Sequence, residues 1–452
     1  MNEERRKDGS VMTVQSVVAK ALFVGAGSLA LISVSAGANF AHQAPATHKK
    51  TVVTVWSWFI AGTMNQAIKQ FERTHPNVVV KYSYYNYSPQ FLTALKAAAA
   101  SNTLPDIIGL QPGSLTQQYR PYLAPLNTRA KKTWGPKWES KIFPVDRAQM
   151  LMGNPPGNHN VYMLPQESQV ICLWYNTKIF AALHLRVPRT LPALVHVANV
   201  LSAHGYMPLY QGVAGAWQNE NVYEMIADQI APGLFHRAQQ GQAAWTSPGL
   251  VQAMKVWQAL FTRHVFQAGA LGDQAYPTGA QLFADGRVGM MALGSWWLQE
   301  AKYAPPIPPL VQGMKGFAPF FFPAVTAKGH VSPPVGGIDV GDGLTRNGAR
   351  NPAAWQFLAS LVNGAGEQAS LNALNDLPAF KGFAPTVPVS PHIARMYRAF
   401  IAELSHAQNQ RFAYPPIETA FDNAIAGVAA GKLTPVGALK QVQAATKQAL
   451  AK

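Results

Sequence analysis

From Thr51 onward the apolar positions switch between two periods. Thr51-Val52-Val53-Thr54-Val55-Trp56 is β-branched and reads as a strand. Met64, Ala67, Ile68 and Phe71 then fall at i, i+3, i+4 and i+7, which predicts one buried face of a helix. His75-Pro76 stops it, because the residue before a proline is pushed out of the helical region. Val78 to Tyr82 is a second strand. Ser88 before Pro89 is a helix start, followed by Phe91, Leu92, Leu95 and Ala98 on one face. Leu104 to Leu110 is a third strand. Strand, helix, strand, helix, strand predicts right-handed crossovers and a mostly parallel sheet.

The alternation returns further along. Val170 to Tyr175 reads as a strand and Asn176 to Leu183 as a helix. Pro192 to Gly205, the stretch after Ser247-Pro248, and Ala280 to Ala284 read as helices. Val288 to Leu293 is an uninterrupted apolar run, the mark of a buried strand, and Gly294-Ser295-Trp296-Trp297 turns into another helix. Residues 304–336 are Pro-rich and read as loop and crossover, with Gly316 to Phe320 as a short strand. Pro352 to Val362 is a helix, and Thr434-Pro435 opens the last one. The fold class is α/β.

The first residues have a different character. Arg5, Arg6, Lys7 and Lys20 precede a small apolar run from Ala21 to Ser35, and Ala36-Gly37-Ala38 fits a small-x-small cleavage site. Residues 1–38 are expected to be a secretory signal peptide and 39–50 a disordered leader. No Cys follows the apolar run, so a lipid-anchored N-terminus is not expected. The chain is expected to be exported, periplasmic or extracellular, and soluble once cut, since no other segment reaches 18 uninterrupted apolar residues.

Composition narrows the function. Length, at 452 residues, allows two or three domains of roughly 150 residues each. Charged residues are 13%, against a usual share of about 25%, while aromatics reach 10%. Such a chain suits ligands held by stacking and hydrogen bonds. The formal charge of +16 comes from few acids, 21 against 37 Lys and Arg, and the bases are scattered with no nucleic-acid-binding motif. Nucleic acid is therefore not expected as a partner. A surface low in carboxylates loses few ionised groups in acid, which suits an acidic external medium. Cys172 is the single cysteine and lies in an apolar run, so disulfides and thiolate metal sites are excluded within the chain.

Catalytic patterns are missing. There is no Gly-x-Ser-x-Gly, no His-Glu-x-x-His, no Walker loop and no compact His spacing for a metal. Asp339 and Asp342, after Gly336-Gly337, come nearest to a carboxylate pair and read as turn caps. No cofactor and no metal are expected. Aromatics at strand ends carry more. Trp56 and Trp58 end the first strand, Trp217 sits in a Gly/Asn-rich loop from Gln211 to Asn221, and Trp296 follows the strand at Val288. In open α/β sheets ligands bind beyond the carboxyl ends of strands. An indole there can stack on the apolar C–H face of a sugar while amides and carboxylates bond its hydroxyls.

Several segments, in order, resemble the family 1 extracellular solute-binding proteins of ABC importers, the maltose- and glycerol-phosphate-binding-protein-like group. They are Phe71 to Val80 around His75-Pro76, Leu104-Pro105-Asp106-Ile107, Tyr162-x-Leu164-Pro165 with Leu173-Trp174-Tyr175-Asn176, Phe283 to Met290 with Gly294-Ser295-Trp296, and Gly336-Gly337 with Ala353 to Leu358. Gly289 stands where the family usually has Ala. The resemblance covers 51–450 and implies a two-lobed periplasmic-binding-protein fold of type II, with mostly parallel sheets joined by crossover strands. Lobe one would comprise 51–168 and 319–350, lobe two 176–315 and 351–452, and the hinge 169–175 and 316–318. Carried over by motif, the ligand residues would be Trp58, Phe59, Gln111 and Ser114 from lobe one, Gln166, Glu167 and Gln169 at the crossover, and Gly337 and Asp339 on the return. Trp217, Trp296 and Tyr414 would come from lobe two, with Trp296 stacking on the ligand.

The implied function is capture of a neutral sugar or short oligosaccharide and delivery to the transmembrane subunits of an ABC permease, by a monomer without enzymatic activity. Two alternatives stay open. A glycerol-phosphate-type polyol would need Arg287 or Arg411 near the ligand, and a secreted carbohydrate-active enzyme would use Glu167 with another carboxylate.

Overall fold

The computed structural model describes residues 49–451 apart from 302–309, 328, 375 and 410. The expected signal peptide and most of the leader lie outside the described residues. The strands, in chain order, are β1 (Thr51–Ser57), β2 (Val78–Tyr84), β3 (Ile107–Leu110), β4 (Leu164–Asn176), β5 (Met207–Tyr210), β6 (Val288–Gly294), β7 (Phe317–Phe320), β8 (Val335–Leu344), β9 (Leu377–Pro378) and β10 (Gln408–Asn409). Hydrogen bonding orders them β2-β1-β3-β8-β4-β6-β5, with β7 and β9 on β4 and β10 on β8.

Both flanks of this sheet are parallel. β1 runs parallel to β2 and β3, with Val53 opposite Val80 and Val55 opposite Ile107, and β5 runs parallel to β6. Between the flanks, β8 is antiparallel to β3 and to β4, and β4 is antiparallel to β6. The intervening helices follow the expected apolar faces. Ala61–Thr74 buries Met64, Ala67, Ile68 and Phe71. Asn176 caps Thr177–Ala182 by accepting from the backbone N–H of Lys178 and Ile179. Thr434 caps Pro435–Leu450 in the same way, accepting from Gly437 N.

Two apolar cores form around this frame. The first gathers Val53, Val55, Phe71, Ile107, Leu110, Leu164, Ile338, Leu344 and Phe357. The second gathers Val170, Trp174, Leu201, Tyr223, Trp257, Met290, Trp297, Val335 and Phe421. β4 passes from the first core to the second between Leu164 and Val170, and β8 passes between Ile338 and Val335. Phe317 and Phe322 both belong to the second core. Helix Pro352–Asn363 buries Ala354, Phe357, Leu358 and Leu361 in the first core, because β8 delivers the chain there at Leu344.

Two other elements differ from expectation. Val335–Leu344, read as turns, is a central strand. The Gly/Asn-rich loop ends at Gly215, and Ala216–Ile230 is a helix whose residues from Gln218 to Asp228 are all buried. Among the described residues no helix is long and apolar enough to cross a membrane.

Candidate functional site

The first wall is built at the carboxyl ends of β1, β2 and β3. Trp58 follows β1 and is half-buried. Its ring stands edge-on to Tyr87, with centroids 4.8 Å apart, and to Phe91 at 5.3 Å. Tyr87 follows β2 and donates its hydroxyl to Gln111 Oε1 at 2.7 Å. Gln111 follows β3 and Ser114 opens the next helix, so three strand ends converge on one aromatic and amide patch. Phe59 does not join it. It is 2% exposed within the first core, since the chain turns inward there and Tyr82 donates its hydroxyl to Phe59 O.

The opposite wall belongs to the second core. Trp217 lies in the first turn of helix Ala216–Ile230, half-buried, and meets Trp296 edge to face with centroids 5.7 Å apart. Buried amides fix that turn. Gln218 donates to Ala292 O on β6 at 2.6 Å and accepts from Gly212 N at 2.6 Å, while Asn219 donates to Val213 O at 2.9 Å. Trp296 is 7% exposed, and its Nε1 donates to the Tyr276 hydroxyl at 3.1 Å. Trp296 buttresses the wall, and Trp217 is the more open indole. Tyr414, half-buried, starts helix Pro415–Ala429 beside them in the second core.

Carboxyl groups gather beside the second wall. Glu220 and Asp422 shift each other's titration, and Ser114 of the first wall acts on Glu418. Burial pushes the Glu220 carboxyl well up, and Asp422 and Glu418 push it further. Burial likewise raises Glu418 to about 7, against the pull of Ser114 and Arg411. A protonated carboxyl that donates to its neighbour is the arrangement these shifts favour. Arg411 is the guanidinium of this site. Its Nη2 donates to Ile338 O at 2.8 Å and lies 3.9 Å from Asp339 Oδ1. Burial raises Asp339 to about 6 while Arg411 opposes the rise.

The two walls face each other. The Tyr87 hydroxyl is raised first by burial, then by the charges of Glu418, Glu220 and Asp339, with Arg411 opposing. Those partners come from β8 and from the helices of the second core, so Tyr87 of the first wall sits in their field. Ser114 N also donates to Phe412 O at 2.8 Å, which closes one end of the facing surfaces.

The expected crossover residues divide. Glu167 is 2% exposed and lies among acids; burial, then Asp376, Glu367 and Asp339, hold its carboxyl well above the usual range. Gln166 lies at a register shift in β4, is fully buried, and neither side-chain polar atom has a hydrogen-bond partner among the described residues. Gln169 is 3% exposed on the same strand. Gly337 serves the backbone: at φ +119° a Cβ would stand 2.3 Å from Gln149 Oε1. The Gln149 amide occupies that space, accepting from Ile338 N at 2.7 Å and donating to Gly336 O at 3.1 Å and to Asn409 Oδ1 at 2.7 Å. Asp339 and Asp342 lie on β8 and are not turn caps. Arg287 is exposed in the turn before β6. Tyr276, Glu220, Glu418 and Asp422 were not singled out from sequence; Glu220 and Glu418 stand one helical turn after Trp217 and Tyr414, Asp422 stands one turn after Glu418, and no local spacing marks Tyr276. Among the described residues no group of three or more His, Cys, Asp or Glu is placed to hold a metal ion.

Two α/β cores threaded by shared strands, with aromatic and carboxyl-bearing walls at the strand ends, define the two-bodied α/β architecture of this chain. The chain belongs to the bacterial extracellular solute-binding protein family, whose match covers residues 60–367. It is 22% identical to the multiple sugar-binding protein of Streptococcus mutans serotype c (strain ATCC 700610 / UA159) over 249 residues, 54% of this chain and 56% of that protein. The chain thus matches little more than half the length of this curated relative. Among solved structures, one from work on xylan utilisation by Caldanaerobius polysaccharolyticus superposes with a TM-score of 0.72 at 20% identity, covering 87% of this chain and 99% of that one. The GacH receptor of Streptomyces glaucescens, determined unliganded and with acarbose, gives 0.71 at 19% identity, covering 89% and 99%. The resemblance read from the sequence motifs is borne out.

Proposed function

We propose that this chain is the substrate-binding component of an ABC importer, which captures a neutral sugar or short oligosaccharide between its two bodies and hands it unaltered to a membrane permease. The observation that carries this reading is the pair of aromatic walls, Trp58 with Tyr87 and Gln111 at the strand ends of the first core and Trp217 with Trp296 on the second. Indole faces at Trp58 and Trp217 would stack on the apolar sides of sugar rings. Gln111, Gln166, Gln169, Ser114 and the carboxyls would bond hydroxyls. The names of the relatives, a multiple sugar-binding protein and a receptor complexed with acarbose, support the same ligand class.

Ligand bridging both walls would favour the closed arrangement over an open one, and the closed form would dock on the permease. Export, release from a signal peptide at the expected Ala38 site and action as a monomer belong to the same reading. So do a site that does no chemistry and a surface that binds no nucleic acid. A phosphorylated polyol fits less well, because Arg411 is engaged by Ile338 O and Asp339 and its charge already acts on Glu220 and Glu418. A hydrolase fits less well, because Glu167 is enclosed among other acids.

Calorimetry of the purified chain against a panel of mono- and oligosaccharides, with product analysis of each mixture, tests the proposal. One sugar is expected to bind saturably and to be recovered intact. No binding across the panel, or recovery of cleaved sugar, would reject it.

A further inference from the structure

A second pocket lies on the first body, away from the facing walls. Its cavity measures about 350 Å³ and is lined in part by Arg120, Leu123, Pro125, Tyr162, Arg346 and Ala349. That volume suffices for a small ligand or head group. The frame is built by backbone. Leu123 bridges Thr345, Ala124 N donates to Leu344 O at 2.9 Å, and Arg346 N donates to Tyr122 O at 2.8 Å. Arg129 Nη2 holds Ala349 in place through its carbonyl at 2.7 Å. The walls are therefore fixed before any ligand arrives.

The location separates this pocket from the sugar site. Arg346 follows Leu344, which pairs with Ile107 at the start of β3, whereas Gln111 follows Leu110 at its end. Three residue steps of strand, roughly 10 Å, lie between the two ends.

The chemistry of the pocket has one sign. Two guanidinium groups line it, and no Asp or Glu is among the lining residues. Arg120 Nη1 is enclosed and has no hydrogen-bond partner among the described residues. An enclosed charged donor without an acceptor is costly, and an oxyanion in the pocket lowers that cost by placing negative charge beside the guanidinium. Guanidinium forks donate paired N–H groups to tetrahedral oxyanions, which matches their geometry as well as their charge.

We propose that this pocket binds an oxyanion of the phosphate class, with Arg120 and Arg346 as its ligands. The phosphate group can come from two sources, free in solution or as the ester of a lipid head group, and the two arms of the test separate them. In one arm, inorganic phosphate is titrated calorimetrically into the purified chain at low ionic strength. In the other, the chain is sedimented with phosphatidylglycerol or phosphatidylcholine vesicles.

Saturable phosphate binding, weakened at least tenfold in Arg346→Gln and lost in Arg120→Gln/Arg346→Gln, is the result expected for a free anion. Retention on phosphatidylglycerol vesicles that the double variant loses, without phosphate binding, assigns the head group. Arg346 is exposed, so its variant reads the site even where Arg120→Gln disturbs folding. Lys440→Gln/Lys447→Gln, two exposed positions on the last helix, controls for general attraction. Neither probe binding, or the lysine pair mattering as much as the arginine pair, overturns the proposal.

Discussion

Gly294 lacks a side chain because the ring of Trp296 lies over it. A Cβ there would stand 2.0 Å from Trp296 Cζ3. The Gly-x-Trp spacing is thus a packing rule: the strand end must be bare for the indole to fold back across it and meet Trp217. This division of labour decides which tryptophan to change. Trp296 belongs to the second core, so its loss would combine ligand and folding effects. Trp217 is half-buried and separates them. Trp217→Ala is expected to weaken sugar binding at least tenfold, about 1–3 kcal/mol by analogy with a hot-spot aromatic, with only a small fall in melting temperature. Calorimetry beside thermal unfolding checks it, and unchanged affinity would remove Trp217 from the site.

At the scale of elements, the decisive joint is where β8 changes cores. Gln149 bonds Gly336 O and Ile338 N on β8 and Asn409 on β10, so one buried amide clips two strands. Gln149→Ala leaves those backbone groups unpaired in the interior. The expected loss is about 1–3 kcal/mol, read as a lower urea midpoint with unchanged slope. A midpoint equal to that of the parent chain would show that Gln149 is not a clip. The glycines of β8 explain why the strand was hard to read. Glycine weakens strands in general, yet a Cβ at Gly341 would lie 1.8 Å from Met163 Sδ. The residues that look like turn formers are small because neighbours occupy their space. Helix Ala216–Ile230 was hidden for a related reason. From Gln218 to Asp228 it is buried on every side and carries polar residues such as Asn219, Glu220 and Glu224 inside, so polarity does not mark a solvent face that would set a helical period.

At the scale of the whole molecule, the acids are few and many are inside. Burial pushes Asp146 and Asp342 up to about 8, Glu224 and Glu418 to about 7, and Asp339 to about 6. Unfolded carboxyls titrate near about 4. Between these values the folded chain holds protons that the unfolded chain releases, so stability falls as pH rises. It is fully present below about pH 4 and is lost progressively towards pH 8, by about 1.4 kcal/mol per pH unit for each such proton. His236, raised by Glu224 at 2.8 Å against the effect of its burial, acts in the same direction. Melting temperature is therefore expected to decline from pH 4 to pH 8. A melting temperature that climbs over that interval would contradict the carboxyl assignment. This ordering matches the acid-poor surface read from composition.

The sequence by itself determined the local elements and the family. Periodicity placed β1, β2, β3 and β6, and caps such as Asn176 and Thr434 placed helix starts, because these depend on contacts a few residues apart. Ordered motifs carried the two-bodied fold and the aromatic walls. Tertiary structure alone decided where β4 and β8 cross between cores, which indole is open, and that Phe59 and Gly337 serve packing. It also brought Glu220 and Glu418 within the influence of Arg411. Those outcomes depend on which distant side chain fills a given volume, and no local spacing encodes that.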